Sequence, residues 1–301
     1  MTTTSLRGLI AAALLAAAGS LSAQQPKPTP APAPAPTPAP APVQDGTTQD
    51  GKLDEWPELK QTDKDLVRSL AKQFHKEEKL HEEARQRLEA IGAGAAPILI
   101  RLVSDRANNI NGELFKVLDK IVAREHAALL AREVGGPSVE LRRYLLRRLC
   151  HYPDPTLVAV FTPAANDKDP EVAFLAALGL LVNKQKPGLA GVLAAARTRW
   201  SEVGALLADV LPAARSADCA TWVLEAIAPA QPAEQMAGLR LLRYLMVDQQ
   251  RFVLRTYLQA PDHTVKREAI NTARALAGEA PIENLSVFQA IEMAKKWLEK
   301  L

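Results

Sequence analysis

Residues able to do chemistry are few in this sequence, and their spacing is wrong for the common sites. The five histidines, His75, His81, His126, His151 and His263, include no His-Glu-x-x-His pair, and neither cysteine, Cys150 or Cys219, lies in a finger-type cluster. His75 and His81 are six residues apart, so on one helix they point about 240° apart and cannot share a metal. His151 follows Cys150 directly, and adjacent residues on a helix do not face each other. No Gly-x-Ser-x-Gly elbow, phosphate-binding loop or dinucleotide fingerprint occurs. No catalytic residue, metal site or cofactor is expected from these patterns.

Arginine is the remaining candidate. In Leu141–Leu149, read as LRRYLLRRL, a helix puts Leu141, Leu145, Leu146 and Leu149 on one stripe and Arg143 and Arg147, four apart, on an outer face. Elsewhere, Arg101, Arg132, Arg197, Arg251 and Arg255 fall on second helices of the pairs, in a row with gaps in the third and fifth units. Together these seven arginines form the candidate partner-binding set. The whole chain carries 37 Lys and Arg against 34 Asp and Glu, a formal charge of +3. Phosphate contacts supply most of the affinity of a nucleic-acid binder, so this small excess argues against a nucleic-acid partner.

The elements that must position these residues begin with an address. Met1–Ala23 reads as a cleaved secretory signal: Arg7, then an apolar run from Leu9 to Ala18, then small residues before Gln24. The run is shorter than the roughly 20 residues that cross a bilayer, so no integral membrane segment is expected after cleavage. Gln24 stands where a lipoprotein would carry cysteine, and the expected location is periplasmic or secreted. Residues 24–44 follow as a Pro/Ala-rich linker. Alternating proline cannot hold a helix and favours polyproline II, at about 3.1 Å per residue. Residues 45–63 form a polar lead-in whose Trp56 is expected to pack on the first helices.

From residue 64 to 301 one unit recurs. An apolar doublet three residues apart appears as Leu88/Ile91, Leu118/Ile121, Leu146/Leu149, Leu178/Leu181, Leu207/Val210, Leu242/Leu245 and Ala273/Leu276. The doublets lie about 28 to 35 residues apart, which marks a repeat array. Turn signals fall between units: Gly135-Gly136-Pro137, Asp169-Pro170, Gln231-Pro232 and Pro261-Asp262. A helix pair cannot bury its own stripe, so neighbours must stack. Leu66, Leu70 and Phe74 are expected inward on a first capping helix, and Phe288, Ile291 and Trp297 on a last one. Cys150 and Cys219 fall in units that are not neighbours, so two free, buried thiols are expected.

The segment His81–Val103, HEEARQRLEAIGAGAAPILIRLV, resembles the short bacterial HEAT repeats of the phycobilisome-lyase type, through Ala84, Leu88 and Ile91, the Gly92–Pro97 turn, and Ile98, Leu99 and Leu102. Asp167–Val182 and Pro261–Gly278 are similar. The resemblance implies an all-α fold, an α-solenoid of about seven HEAT-like antiparallel helix pairs. Some such relatives are linked to bilin attachment, but no catalytic constellation here matches. The expected function is therefore an exported non-catalytic protein–protein interaction scaffold that binds a protein or peptide along its surface. An anionic cell-surface polymer, such as a glycan, is the alternative ligand, and a lyase-type enzyme comes third.

Overall fold

The computed structural model describes residues 53–106 and 108–301, and the expected signal peptide (1–23) and Pro/Ala linker (24–44) lie outside them. The described chain opens with α1 (Gln61–Ala71). Seven helix pairs follow: α2 (His81–Ile91) with α3 (Ala96–Leu102), α4 (Asn108–Ile121) with α5 (Ala127–Glu133), α6 (Val139–Cys150) with α7 (Val158–Ala164), α8 (Pro170–Val182) with α9 (Gly188–Thr198), α10 (Trp200–Val210) with α11 (Ala217–Ile227), α12 (Pro232–Leu245) with α13 (Leu254–Leu258), and α14 (His263–Leu276) with α15 (Val287–Lys300). This is the all-α solenoid of HEAT-like pairs. No described helix is long and apolar enough to cross a membrane.

The turn chemistry explains where helices start and stop. Asp169 accepts from the Val172 N–H at 2.9 Å, and Asp262 accepts from those of Thr264 and Val265 at 2.8 and 3.1 Å. Ser138 and Ser216 cap α6 and α11 in the same way, each occupying one of the donors a helix start leaves orphaned. Pro170 and Pro232 stand in the first turn, where the missing N–H costs nothing. Gly92 ends α2 at φ +80 and ψ −160, a conformation open essentially to glycine alone.

All seven doublets point inward: Leu88, Leu118, Leu146, Leu149, Leu178, Leu181, Leu207, Leu242 and Leu245 are fully buried, and Ile91 and Leu276 are partly so. The most enclosed helix is α8, apolar nearly all round, with α6, α7 and α9 packed on it. Gly179 on α8 leaves room for the Phe161 ring of α7; a Cβ there would lie 2.2 Å from a ring carbon. The fifth pair departs from the regular stack. α12 packs on α9, α11 and α14, and the 3-10 turn Leu211–Ala214 reaches both α8 and α12. Gly188 and Gly191 of α9 let it approach α8 closely: a Cβ on either would lie 2.3 or 2.7 Å from Ala177.

At the first end, Val67, Leu70 and Phe74 are buried while Leu66 is only partly covered. At the last end the expectation fails for two residues. Phe288 and Ile291 are exposed, and the buried face of α15 is Ala290, Ala294 and Trp297. Two alanines allow closer seating on α14 than Phe288 would, so small size chose the inner face. Trp56 also lands elsewhere than on the first helices: it stacks on His126 at the start of α5, with ring centroids 5.3 Å apart and planes at 13°.

The α12–α14 contact contains a buried ion cluster. Glu268 takes Arg243 on one carboxylate oxygen and Arg240, at 3.1 Å, on the other. Both guanidinium groups lie over the Trp200 ring, at 5.0 and 6.0 Å. Burial pulls the Arg243 guanidinium below its usual range, and Glu268 opposes the shift. Removing one partner of such a pair strands the other, at a cost of about 3–5 kcal/mol. Glu268→Ala should therefore lower the urea midpoint far more than Glu225→Ala, whose partner Lys186 is exposed. Equal midpoints for the two variants would mean that Trp200 alone suffices to hold the arginines.

Candidate functional site

The outer face of α6 carries the site because its inner face is spent on leucine. With Leu141, Leu145, Leu146 and Leu149 buried, Arg143, Tyr144 and Arg147 project over the neighbouring first helices. Tyr144 stacks on Phe115 of α4 at 4.3 Å and 3°, and its hydroxyl donates to Asp119 at 3.1 Å. Arg143 spans to the start of α8, where Asp169 takes two bonds at 3.0 and 2.5 Å, and also bonds Glu140 at 2.8 Å. Arg147 reaches Glu171 at 3.3 Å, and Glu171 takes a second arginine, Arg199, at 2.8 Å. These side chains, with Glu202, line an open groove of about 430 Å³ over α4, α6, α8 and α10.

The groove's electrostatics follow from those pairs. The Arg143 bonds hold the Asp169 carboxyl below the usual carboxylate range, and Asp169 in return raises the Arg143 guanidinium. Burial first, then Asp119, pushes the Tyr144 phenol up, so it stays protonated. Arg147 differs from Arg143. Its side chain is 57% exposed and keeps one bond within the groove. The arrangement therefore offers a partly free guanidinium beside a flat aromatic wall, a combination suited to a carboxylate and a planar or apolar group held together.

The structure unites Arg143 and Arg147 but disperses the remaining predicted arginines. Arg132 donates to the Asp54 carbonyl at 2.8 Å, Arg197 to Glu234 at 2.7 Å, and Arg251 to the Leu276 carbonyl and to Asp248 at 2.9 Å. Arg101 and Arg255 are exposed, without such bonds to described residues. The second helices thus present no continuous row of free cations, and the anionic-polymer expectation loses its physical basis. Arg251 satisfies a carbonyl at the end of α14, as Arg148 does for Asp119 and Val122 at the end of α4. Arg199 and the Phe115–Tyr144 pair were missed in the sequence, since the contact runs between units.

A second set of contacts ties the lead-in to the body. Leu53 donates its N–H to the Glu125 carbonyl at 3.1 Å, Arg132 holds Asp54, Trp56 covers His126, and Leu59 fits against Gly94. Residues 53–59 form an extended strap over the turns of the first two pairs. His75 and His81 do not share a helix: His75 ends a 3-10 turn and His81 opens α2. Among the described residues no group of three or more His, Cys, Asp or Glu could hold a metal ion. Cys150 and Cys219 are both buried free thiols, and the Cys150 thiol donates to the Leu175 carbonyl at 3.4 Å.

No family model and no curated protein matches the chain. Among solved structures it is similar to human deoxyhypusine hydroxylase in complex with glycerol, at 14% identity, over 80% of this chain and 98% of that one, with a TM-score of 0.33. The expectation of an exported non-catalytic scaffold is corrected by that finding, because the similar protein is an enzyme and the architecture does not exclude catalysis. At this identity and TM-score the likeness assigns no activity, substrate or site residue to the present chain.

Three acids that organise helix starts have depressed pKa values: Asp169 through Arg143, Asp105 through the Glu140 N–H and Ser138, and Asp262 through Thr264. A carboxyl depressed in the folded state contributes stability above its unfolded pKa and loses it as pH falls through the folded one. The urea midpoint should hold down to about pH 4, near the ordinary aspartate value, and then decline steeply. Asp169→Asn keeps a capping oxygen but removes the charge, so its midpoint should be lower near neutrality and decline less in acid. A variant profile parallel to the wild type would remove Asp169 from the explanation.

Proposed function

We propose that the groove over α4, α6, α8 and α10 recognises an extended protein segment, one that brings a carboxylate to Arg147 and an aromatic or apolar side chain to the Phe115–Tyr144 wall. The observation that carries this is Arg147: beside two arginines with shorter bonds to acids, it keeps one 3.3 Å bond and more than half its surface. A long shallow surface built from successive units suits an extended chain. The finer kinship with short HEAT repeats of the phycobilisome-lyase type belongs to the same reading, supported by Leu88, Ile91, Gly92 and Pro97 in their motif order.

The test is fluorescence anisotropy with short labelled peptides that combine acidic and aromatic residues. Saturable binding is expected, weakened about tenfold by Arg147→Ala, which corresponds to about 1.4 kcal/mol. Peptides that bind the variant as tightly as the parent would sink the assignment, and so would failure of the whole class to bind below about 1 mM.

Export belongs to the proposal as well, supported by Arg7, the apolar run Leu9–Ala18 and the small residues before Gln24. The intact mass of protein recovered from its native source should begin at Gln24. A mass beginning at Met1 would refute it.

A further inference from the structure

The last described helix, α15, leaves large apolar side chains uncovered. In α15 the inner face is Ala290, Ala294 and Trp297. On the outer side Val287 is 52% exposed, Phe288 74% and Ile291 39%. Leu298, about two turns beyond Ile291 and on the same face, is only partly buried. These four side chains form one apolar stripe along the helix. The first end of the array is different: the exposed side chains of α1 are Gln61, Thr62, Asp65, Arg68 and Ser69. Head-to-tail stacking of copies would therefore set an apolar stripe on a polar helix.

Charge decides the geometry instead. Across α15 and the residues just before it, acid comes first, at Glu283 and Glu292, and base predominates later, where Lys295, Lys296 and Lys300 outnumber Glu299. Two copies laid parallel would put acid on acid and base on base. Laid antiparallel about a twofold axis, Phe288 of one copy meets Leu298 of the other, Ile291 meets the aliphatic stem of Lys295, and Glu292 meets the Lys295 ammonium. The helix dipoles also oppose. We infer that α15 is a dimerisation surface, on which a second copy of this chain packs antiparallel through Val287, Phe288, Ile291 and Leu298. The pairing is isologous, so it closes at two copies and builds no fibre. Fourteen residues make a helix about 21 Å long. That is a small interface, and a dissociation constant of about 10 μM fits it.

Sedimentation of the full chain across about 1 to 300 μM, a range bracketing that constant, tests the inference. The parent should pass from monomer to dimer. Phe288→Glu should remain monomeric with a nearly unchanged melting curve, because Phe288 is 74% exposed. Glu292→Lys should weaken the dimer at least tenfold, and adding Lys295→Glu should restore it. The restored variant should pair with itself and not with the parent, since a mixed dimer meets like charges. A parent monomeric throughout overturns the inference, as does a dimer that survives Phe288→Glu. Free mixing of the swapped and parent chains overturns the antiparallel register. Adsorption of a monomeric protein to anionic vesicles, lost in Phe288→Glu, would assign the stripe to a lipid surface and overturn it too.

Discussion

A pair of helices this short cannot bury its own apolar stripe, and the rest of the structure follows from that shortage. The leucine doublets of the first helices are buried against both helices of neighbouring units, so each unit depends on the next for its core. α8 shows the constraint at its strongest: in the middle of the array it is apolar nearly all round and has no face left for water. The fifth pair shows the tolerance of the scheme. There α9 and a 3-10 turn take part of the place that a regular first helix would fill, and Leu207 and Val210 are buried all the same.

Stacking leaves a second requirement, because the polar ends of helices are brought beside one another. Arginine meets it from one unit away. Arg148 holds the end of α4, Arg215 holds the Tyr244 carbonyl near the end of α12, and Arg251 holds the end of α14. Other arginines cross to acids of the next first helix, as Arg143 does with Asp169 at the start of α8 and Arg240 with Glu268 within α14. Each such bond fixes the offset between units as well as neutralising a charge. The groove on the first-helix side is a product of this bracing: its walls are the braces, and Arg147 stands out because its brace is the loosest.

Much of this was legible in the sequence. The doublets and the Asp-Pro and Gly-Pro turns define the pairs, and Leu141, Leu145, Leu146 and Leu149 place Arg143 and Arg147 outside. What stayed hidden depends on contacts between units. Arg143 and Asp169 are 26 residues apart and Arg240 and Glu268 are 28, so each pair becomes visible only when the repeat offset is applied to charges as well as to leucines. Phe288 was misplaced for another reason. Periodicity ranks residues by apolarity, whereas the α14–α15 seam selected Ala290 and Ala294 for their size. Trp56 meets His126 of the second pair because an extended segment of a few residues reaches past one pair to the next.

That strap carries an evolutionary consequence. Repeat arrays lengthen by duplication, since a copied unit finds its neighbours' faces ready to receive it. Between the first and second pairs this route is closed. Leu59 sits against Gly94 of the first pair while Trp56 and Asp54 engage His126 and Arg132 of the second. A unit inserted there would carry His126 and Arg132 out of the strap's reach and leave Trp56 without its ring. The array is free to be copied farther along, but at this end its number of units is locked by a few residues of extended chain.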